Sequence, residues 1–189
     1  AFKRSYLISA CALALLPGCA SESVGDGLPL PHMTFAQIQP MPLNVQTVNV
    51  HTVDSDTPQD FALDPAEAAR QYVDRRFTAA GVSGSFDVSV EKAMVTKKHQ
   101  ASQNGVANFL NVAGMDDYEI DLSLRFEHFE ASGRLAYGKV LNARRVVHIP
   151  EHSSVAEREK LQMESLENMF SDLDKEVRVL VLEDRTLTQ

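Results

Sequence analysis

The hydrophobic pattern changes period several times along the chain, and each change predicts an element. Residues 43–53 (LNVQTVNVHTV) are rich in valine and threonine and read as a strand. After a loop over 54–64, a helix is well marked. Asp64 is placed to accept from the first-turn amides, Pro65 suits the first helical position, Glu67 completes a box-like arrangement, and Gly81 suits the stop. Its expected buried stripe is Ala69, Tyr72, Val73, Arg76, Phe77 and Ala80, with the stem of Arg76 alongside. Strand periodicity returns over 85–97. Phe86, Val88 and Val90 alternate, then Ala93 and Val95 continue in the opposite phase, which predicts a bulge near Glu91 and Lys92.

Residues 118–128 form the clearest strand, with Tyr118, Ile120, Leu122, Leu124 and Phe126 on one side and charged or polar residues on the other. A turn at Ala131-Ser132-Gly133 leads into a strand over 135–149. Setting Leu124 opposite Leu141 also places Tyr118 by Val147 and His128 by Tyr137, and leaves Lys139 and Arg145 on the apolar side, near its edges. Ser154 and Glu157 have capping-box spacing, and Met163, Leu166, Phe170, Leu173, Val177 and Leu180 then recur in steps of three and four. That seam fits a helix covering a sheet, and its short length speaks against a coiled coil. A right-handed crossover makes the first two strands parallel, and hairpins make the rest antiparallel. The expectation is an α+β fold, a two-layer sandwich of order β-α-β-β-β-α, with a four-stranded mixed sheet and two helices packed on one face.

Ahead of this domain lies a different kind of sequence. Lys3 and Arg4 precede an apolar run of 11 residues from Tyr6 to Leu16, too short for the roughly 20 residues of a membrane-spanning helix and suited to a secretory signal. The run ends Leu16-Pro17-Gly18-Cys19. This resembles the lipobox of bacterial lipoproteins, although Pro17 departs from the preferred small residue. The resemblance implies that Cys19 becomes the lipidated first residue of the mature chain. A plain secretory signal with a chance cysteine is the lesser alternative. The expected division is a signal over 1–18, a lipidated cysteine and Pro-rich tether over 19–42, one domain over 43–184 and a tail over 185–189. Pro29, Pro31, Pro40 and Pro42 favour extended backbone in the tether. Leu28, Leu30, Met33, Phe35 and Ile38 leave two readings open there: a segment lying along the domain, or a disordered spacer.

Composition narrows the picture further. The two cysteines, Cys11 and Cys19, fall in the signal and at the lipobox, so the mature chain has no pair for an internal disulfide. The net charge is −8, and loss of Lys3 and Arg4 takes it to −10. Such a chain, with no basic cluster, is a poor nucleic-acid binder. Membrane attachment is expected through acyl chains, and stable anchoring needs more than one of them.

The phrases "LNVQTVNV", "DPAEAARQYVDRRFTAAG" and "EREKLQMESLENMFSDLDKEVR" resemble an uncharacterised group of alphaproteobacterial envelope lipoproteins. In architecture the chain is similar to the lipopolysaccharide-assembly lipoprotein and to auxiliary lipoproteins of lipid-transporting ABC systems. These resemblances imply an architecture and a compartment, and carry no catalytic motif. Ala20 after the cysteine is similar to lipoproteins sorted to the outer membrane, which implies the periplasmic face of that membrane over the inner one.

Candidate chemistry is sparse. His148 and His152 have zinc-like spacing, but Pro150 between them removes the shared helical face. His128, at a hairpin end beside Tyr137, reads as a solvent-facing or interface pair. Gly81-Val82-Ser83-Gly84-Ser85 reads as a helix stop rather than a nucleophile elbow. No catalytic residue, metal site or cofactor is expected, apart from the covalent lipid on Cys19. Residues 99–115 form a connection of 17 residues, polar first and then apolar at Phe109, Leu110 and Val112. This is the candidate partner-contact loop, unless those residues fold back over the sheet. The expected function is a lipid-anchored, non-enzymatic adaptor or accessory subunit of a membrane complex, with an envelope protein as partner. The alternative is a lipid-binding accessory of an envelope lipid-transport or lipopolysaccharide-assembly system, with a pocket lined by Phe86, Val88, Tyr118, Ile120 and Phe170. An enzyme of unknown type is the remaining option.

Overall fold

The computed structural model describes residues 33, 35–100 and 114–188, all within one compact unit spanning Pro31–Gln189. The signal, the lipobox with Leu16, Pro17, Gly18 and Cys19, and the candidate contact residues Phe109, Leu110 and Val112 lie outside the described residues.

The elements are β1 (Met41–Leu43), β2 (Thr47–His51), α1 (Pro65–Arg76), β3 (Phe77–Ala79), β4 (Ser85–Gln100), β5 (Met115–Phe129), β6 (Leu135–Pro150) and α2 (Val155–Glu183), with a 3-10 turn at Arg185–Leu187. The main sheet has four strands in the order β2-β4-β5-β6. β2 pairs parallel to β4, and the remaining pairs are antiparallel. The α+β class, the mixed four-stranded sheet and the two helices are as the sequence predicts.

Register follows from the apolar alternation. Leu124 pairs with Leu141, Tyr118 with Val147 and His128 with Tyr137, so the face set by period two in β5 determines which side of β6 meets the helices. Lys139 and Arg145 do lie on that side. They reach past the apolar surface to Glu183 and Asp172 of α2, at 3.3 Å each. The phase change in β4 is a bulge between Val90 and Lys92, which lets Val90 and Ala93 both be buried.

Three local expectations differ from what forms. The strand over 43–53 is two short strands, because the chain bends at residues 44–46. β1 leaves the main sheet to pair parallel with β3. α1 stops at Arg76 rather than near Gly81, since Phe77 takes extended backbone (φ −112°, ψ 139°) and begins β3. Gly81 is needed for close approach instead: a Cβ there would stand 2.5 Å from the Asn44 carbonyl carbon. At the helix start, Asp64 caps as expected, accepting from the Ala66 amide at 2.7 Å. The full capping box forms at α2, where Ser154 and Glu157 satisfy each other's backbone amides.

The core extends into the segment ahead of β1. Met33, Phe35 and Ile38 are 1–3% exposed, so this stretch lies along the domain. The Phe35 ring sits 5.8 Å from Tyr72 of α1 and 5.5 Å from Phe170 of α2, and Tyr72 stacks on Phe170 at 5.3 Å. Phe77 continues the series to Phe86 of the sheet at 5.1 Å. Phe35 has φ 44°, a left-handed conformation that costs a phenylalanine about 1–3 kcal/mol and persists because the buried ring outweighs that cost. At the other end, Leu187 is fully buried and its carbonyl accepts from the Asn44 amide at 2.9 Å.

Inside the helix layer sits a charged knot. Asp174 of α2 is 3% exposed, and Arg76 at the end of α1 is equally buried. Arg76 Nε stands 2.7 Å from Asp174 Oδ1 as a close charge contact whose N–H is not aligned for a hydrogen bond. Tyr72 donates its hydroxyl to the same oxygen at 2.9 Å, and Arg178 donates to Oδ2 at 2.8 Å. Arg76 Nη1 also donates to the Gln39 carbonyl, which fastens the pre-β1 segment to both helices. Burial and the neighbouring Asp174 charge push the Tyr72 hydroxyl well above its usual pKa.

Phe35→Ala is expected to lower unfolding free energy by about 3–5 kcal/mol in chemical denaturation of the full chain, whereas a residue in a free tether would cost almost nothing. Arg76→Leu, which leaves Asp174 buried without its closest cation, is expected to cost about 3–5 kcal/mol by the same measurement.

Candidate functional site

The polar groups that converge most closely lie at the end of the sheet where β4 and β5 lead to residues 101–113. The inward face of β4 changes there from Val95 to Lys97 and His99, and that of β5 from Tyr118 to Asp116, with His99 opposite Asp116 in register. The first turn of α2 adds Arg158, and the loop before α1 adds Asp60. Asp116 is 5% exposed and holds three partners: His99 Nδ1 at 2.9 Å, Arg158 Nη1 at 2.9 Å and Lys97 Nζ at 3.2 Å. Tyr118 accepts from Arg158 at 2.8 Å and donates to Asp60 Oδ2 at 2.6 Å, where Lys97 Nζ also arrives at 2.6 Å. Lys97 lies 5.2 Å from the Tyr118 ring centroid, adding a cation–π contact.

These contacts shift proton affinities in consistent directions. The His99 hydrogen bond holds the Asp116 carboxyl far below the usual range; burial opposes it, and Arg158 and Lys97 add to it. Burial works against the ionised form of Asp60, but the Lys97 and Tyr118 donors outweigh it and lower its pKa. Lys97 is raised, chiefly by its bond to Asp60, and Tyr118 is raised by burial and by Asp60. Asp60, Asp116, Lys97, Tyr118 and Arg158 are thus each held in their ordinary charge state at neutral pH. The arrangement is a network of ion pairs centred on two carboxylates, Asp116 and Asp60.

The other candidates resolve as follows. His128 is buried rather than solvent-facing: its Nδ1 meets Asp184 Oδ2 at 2.7 Å, because the 3-10 turn folds back over β5. Thr186 Oγ1 approaches the same ring nitrogen at 3.4 Å and donates to Asp184 at 2.6 Å. A hydroxyl–imidazole–carboxylate relay needs both ring nitrogens, so this trio acts as a clamp on the chain end. Tyr137, opposite His128 in register, donates to Glu183 at 2.6 Å, and its pKa is pushed up to about 12 by burial and that carboxylate. His148 pairs with Asp117 at 2.6 Å. Among the described residues no group of three or more His, Cys, Asp or Glu side chains is placed to hold a metal ion. Ser83 lies in the turn between β3 and β4. Phe86, Val88, Tyr118, Ile120 and Phe170 are all 0% exposed and belong to the hydrophobic core.

The outer face of the sheet carries crossed ion pairs, among them Arg125 with Glu91, Lys92 with Asp121 at 3.2 Å, Lys98 with Glu119 at 3.1 Å, and Arg144 with Glu119. β6 is an edge of this sheet. It carries no acidic residue, and its exposed Val140 and Val146 stand on that outer face. Cations along an edge discourage uncontrolled strand addition. The alternating pattern made the outer face legible in the sequence. Asp60 and Arg158 left no such signal, since their meeting depends on how the loop before α1 and the start of α2 pack together.

No family model matches the chain, and no curated protein does. Among solved structures, a minor lipoprotein from Acinetobacter baumannii is similar over 78% of this chain and 99% of its own, with 13% identity and a TM-score of 0.38. A Caulobacter crescentus protein provisionally described as a lipoprotein is similar over 69% of this chain and 85% of its own, with 12% identity and a TM-score of 0.36. A Helicobacter pylori protein provisionally described as a neuraminyllactose-binding hemagglutinin homolog is similar over 73% of this chain and 88% of its own, with 8% identity and a TM-score of 0.38. Two of these three neighbours are therefore described as lipoproteins. At these TM-scores nothing of their activity or family is carried to this chain. No helix among the described residues is long and apolar enough to cross a membrane.

Carboxylates with lowered pKa values stabilise the fold fully above the ordinary carboxylate range and lose that contribution as pH falls through it. With Asp60, Asp116 and Asp184 all lowered, thermal stability is expected to decline below about pH 5. Asp116→Asn is expected to lower stability at neutral pH by about 2 kcal/mol and to flatten the acid limb, measured as Tm from neutral pH downward.

Proposed function

We propose that the chain is a lipid-anchored envelope protein whose single domain serves as an adaptor or accessory subunit of a membrane complex, without catalysing a reaction itself. The observation that carries this reading is the Leu16-Pro17-Gly18-Cys19 sequence standing a short distance ahead of a segment packed into the domain core. Cys19 receives the lipid, and its acyl chains provide the membrane affinity that an acidic chain of net charge −8 lacks. Ala20 supports release to the periplasmic face of the outer membrane.

The buried Met33 and Phe35 set the working geometry. Only 14 residue steps separate Cys19 from Met33, so the covalent connection spans at most about 50 Å when fully extended. A domain on such a leash meets partners that are themselves in or close to the membrane. Its candidate contact regions are the connection carrying Phe109, Leu110 and Val112, and the outer face of the sheet beside β6. The partner is an envelope protein.

Full-length protein purified gently from solubilised membranes, with mass spectrometry of everything that co-elutes, tests this reading. A stoichiometric membrane protein is expected with the wild type, and Cys19→Ser is expected to lose both that protein and the membrane fraction. Recovery of the lipoprotein alone contradicts a stable complex, and a co-eluting lipid would favour lipid handling instead.

A further inference from the structure

Two donors and a further cation, from three separate elements, converge on one oxygen that belongs to a surface loop. Asp60 Oδ2 receives Lys97 Nζ of β4 and the Tyr118 hydroxyl of β5, both at 2.6 Å, and stands 3.8 Å from Arg158 Nη1 of α2. The donors do not need Asp60 to stay in place. Asp116 holds Lys97 at 3.2 Å and Arg158 at 2.9 Å, and Arg158 donates to Tyr118.

The loop backbone does not need the Asp60 side chain either. Gln162, fully buried on α2, donates to the Asp60 carbonyl at 3.1 Å and accepts from the Ala62 amide at 2.8 Å. The Asp60 side chain itself is 44% exposed. Rotation about its own torsions would empty the position while both walls stay fixed.

Charge and shape say what else fits. Lys97 and Arg158 against Asp116 leave one positive charge, which a monoanion balances. The tyrosine hydroxyl and the ammonium both address a single oxygen, as a carboxylate presents it. A groove of about 470 Å³ opens beside it, with Phe61, Ala62 and Val155 as apolar lining and the exposed Glu159 also on its wall. We infer that Lys97, Tyr118 and Arg158 form a seat for a carboxylate bearing a short apolar group, and that Asp60 occupies it as a displaceable internal ligand. Asp60 then sets the threshold for binding, because an incoming carboxylate must compete with one already tethered at high effective concentration.

The test is titration of the full-length protein with butyrate, acetate and inorganic phosphate, read by calorimetry and by the rise in Tm. Asp60→Ala is expected to bind butyrate with a Kd at least about tenfold lower than the wild type. Acetate is expected to bind more weakly than butyrate and phosphate more weakly still, and Lys97→Met added to Asp60→Ala is expected to abolish binding. Asp60→Asn, which keeps the side-chain volume and a neutral acceptor but loses the charge, is expected to bind butyrate with an affinity between those of the wild type and Asp60→Ala. Equal affinities in the wild type and both Asp60 variants, or binding that survives Lys97→Met, would overturn the seat. Phosphate binding tighter than butyrate would overturn its assignment to carboxylates.

Discussion

The contact between Asp174 and Arg76 is the constraint on which the helix layer depends. Two charges buried to this degree lose most of their hydration, and that cost is offset only while their partners stay in place. Those partners come from both helices and from the segment ahead of β1: Tyr72 and Arg178 on the carboxylate, the Gln39 carbonyl on the guanidinium. Replacement of the pair by apolar residues of similar volume need not weaken the fold. Its consequence is geometric, because α1 and α2 must meet at one rotation for the carboxylate to be satisfied. Tyr72, which bonds the carboxylate, also stacks on Phe170 and meets the edge of Phe35, so the aromatic contacts and the ion pair share one residue.

With the helices fixed, the two ends of the sheet acquire different characters. One end is closed by the 3-10 turn, where His128, Asp184 and Thr186 bond to one another beneath a buried Leu187. At the other, the inward faces of β4 and β5 turn polar. Ions from four segments gather there around Asp116 and Asp60, beside an open groove. The distinction matters for function, since the first end locks the chain in place while the second combines fixed donors with an exposed side chain and solvent access.

Period and capping made much of this architecture legible in the sequence. The alternation in β5 determined the register with β6 down to Leu124 opposite Leu141, the phase change located the bulge beside Val90, and Ser154 with Glu157 located the start of α2. What was not legible had a physical reason in each case. Gly81 suits a helix stop, but the chain leaves α1 at Phe77, and the glycine serves close approach to Asn44. The strand expected over 43–53 is interrupted because β1 finds a separate partner in β3. Met33 and Phe35 sit among prolines that suggest a spacer, and only the edge-on packing of Phe35 against the stacked Tyr72 and Phe170 decides that the ring is buried. Within the candidate seat, Lys97 and Tyr118 follow from strand alternation, whereas Asp60 and Arg158 arrive from elements whose packing no local pattern encodes.

The proposed anchoring turns on Cys19 being the attachment point of a chain whose described core begins at Met33. Intact-mass spectrometry of the mature protein from membranes tests this most directly. The account predicts one species beginning at Cys19, with the added mass of a diacylglycerol and an amide-linked acyl chain. An unmodified species with a free thiol at Cys19, or a chain cleaved elsewhere, would contradict it.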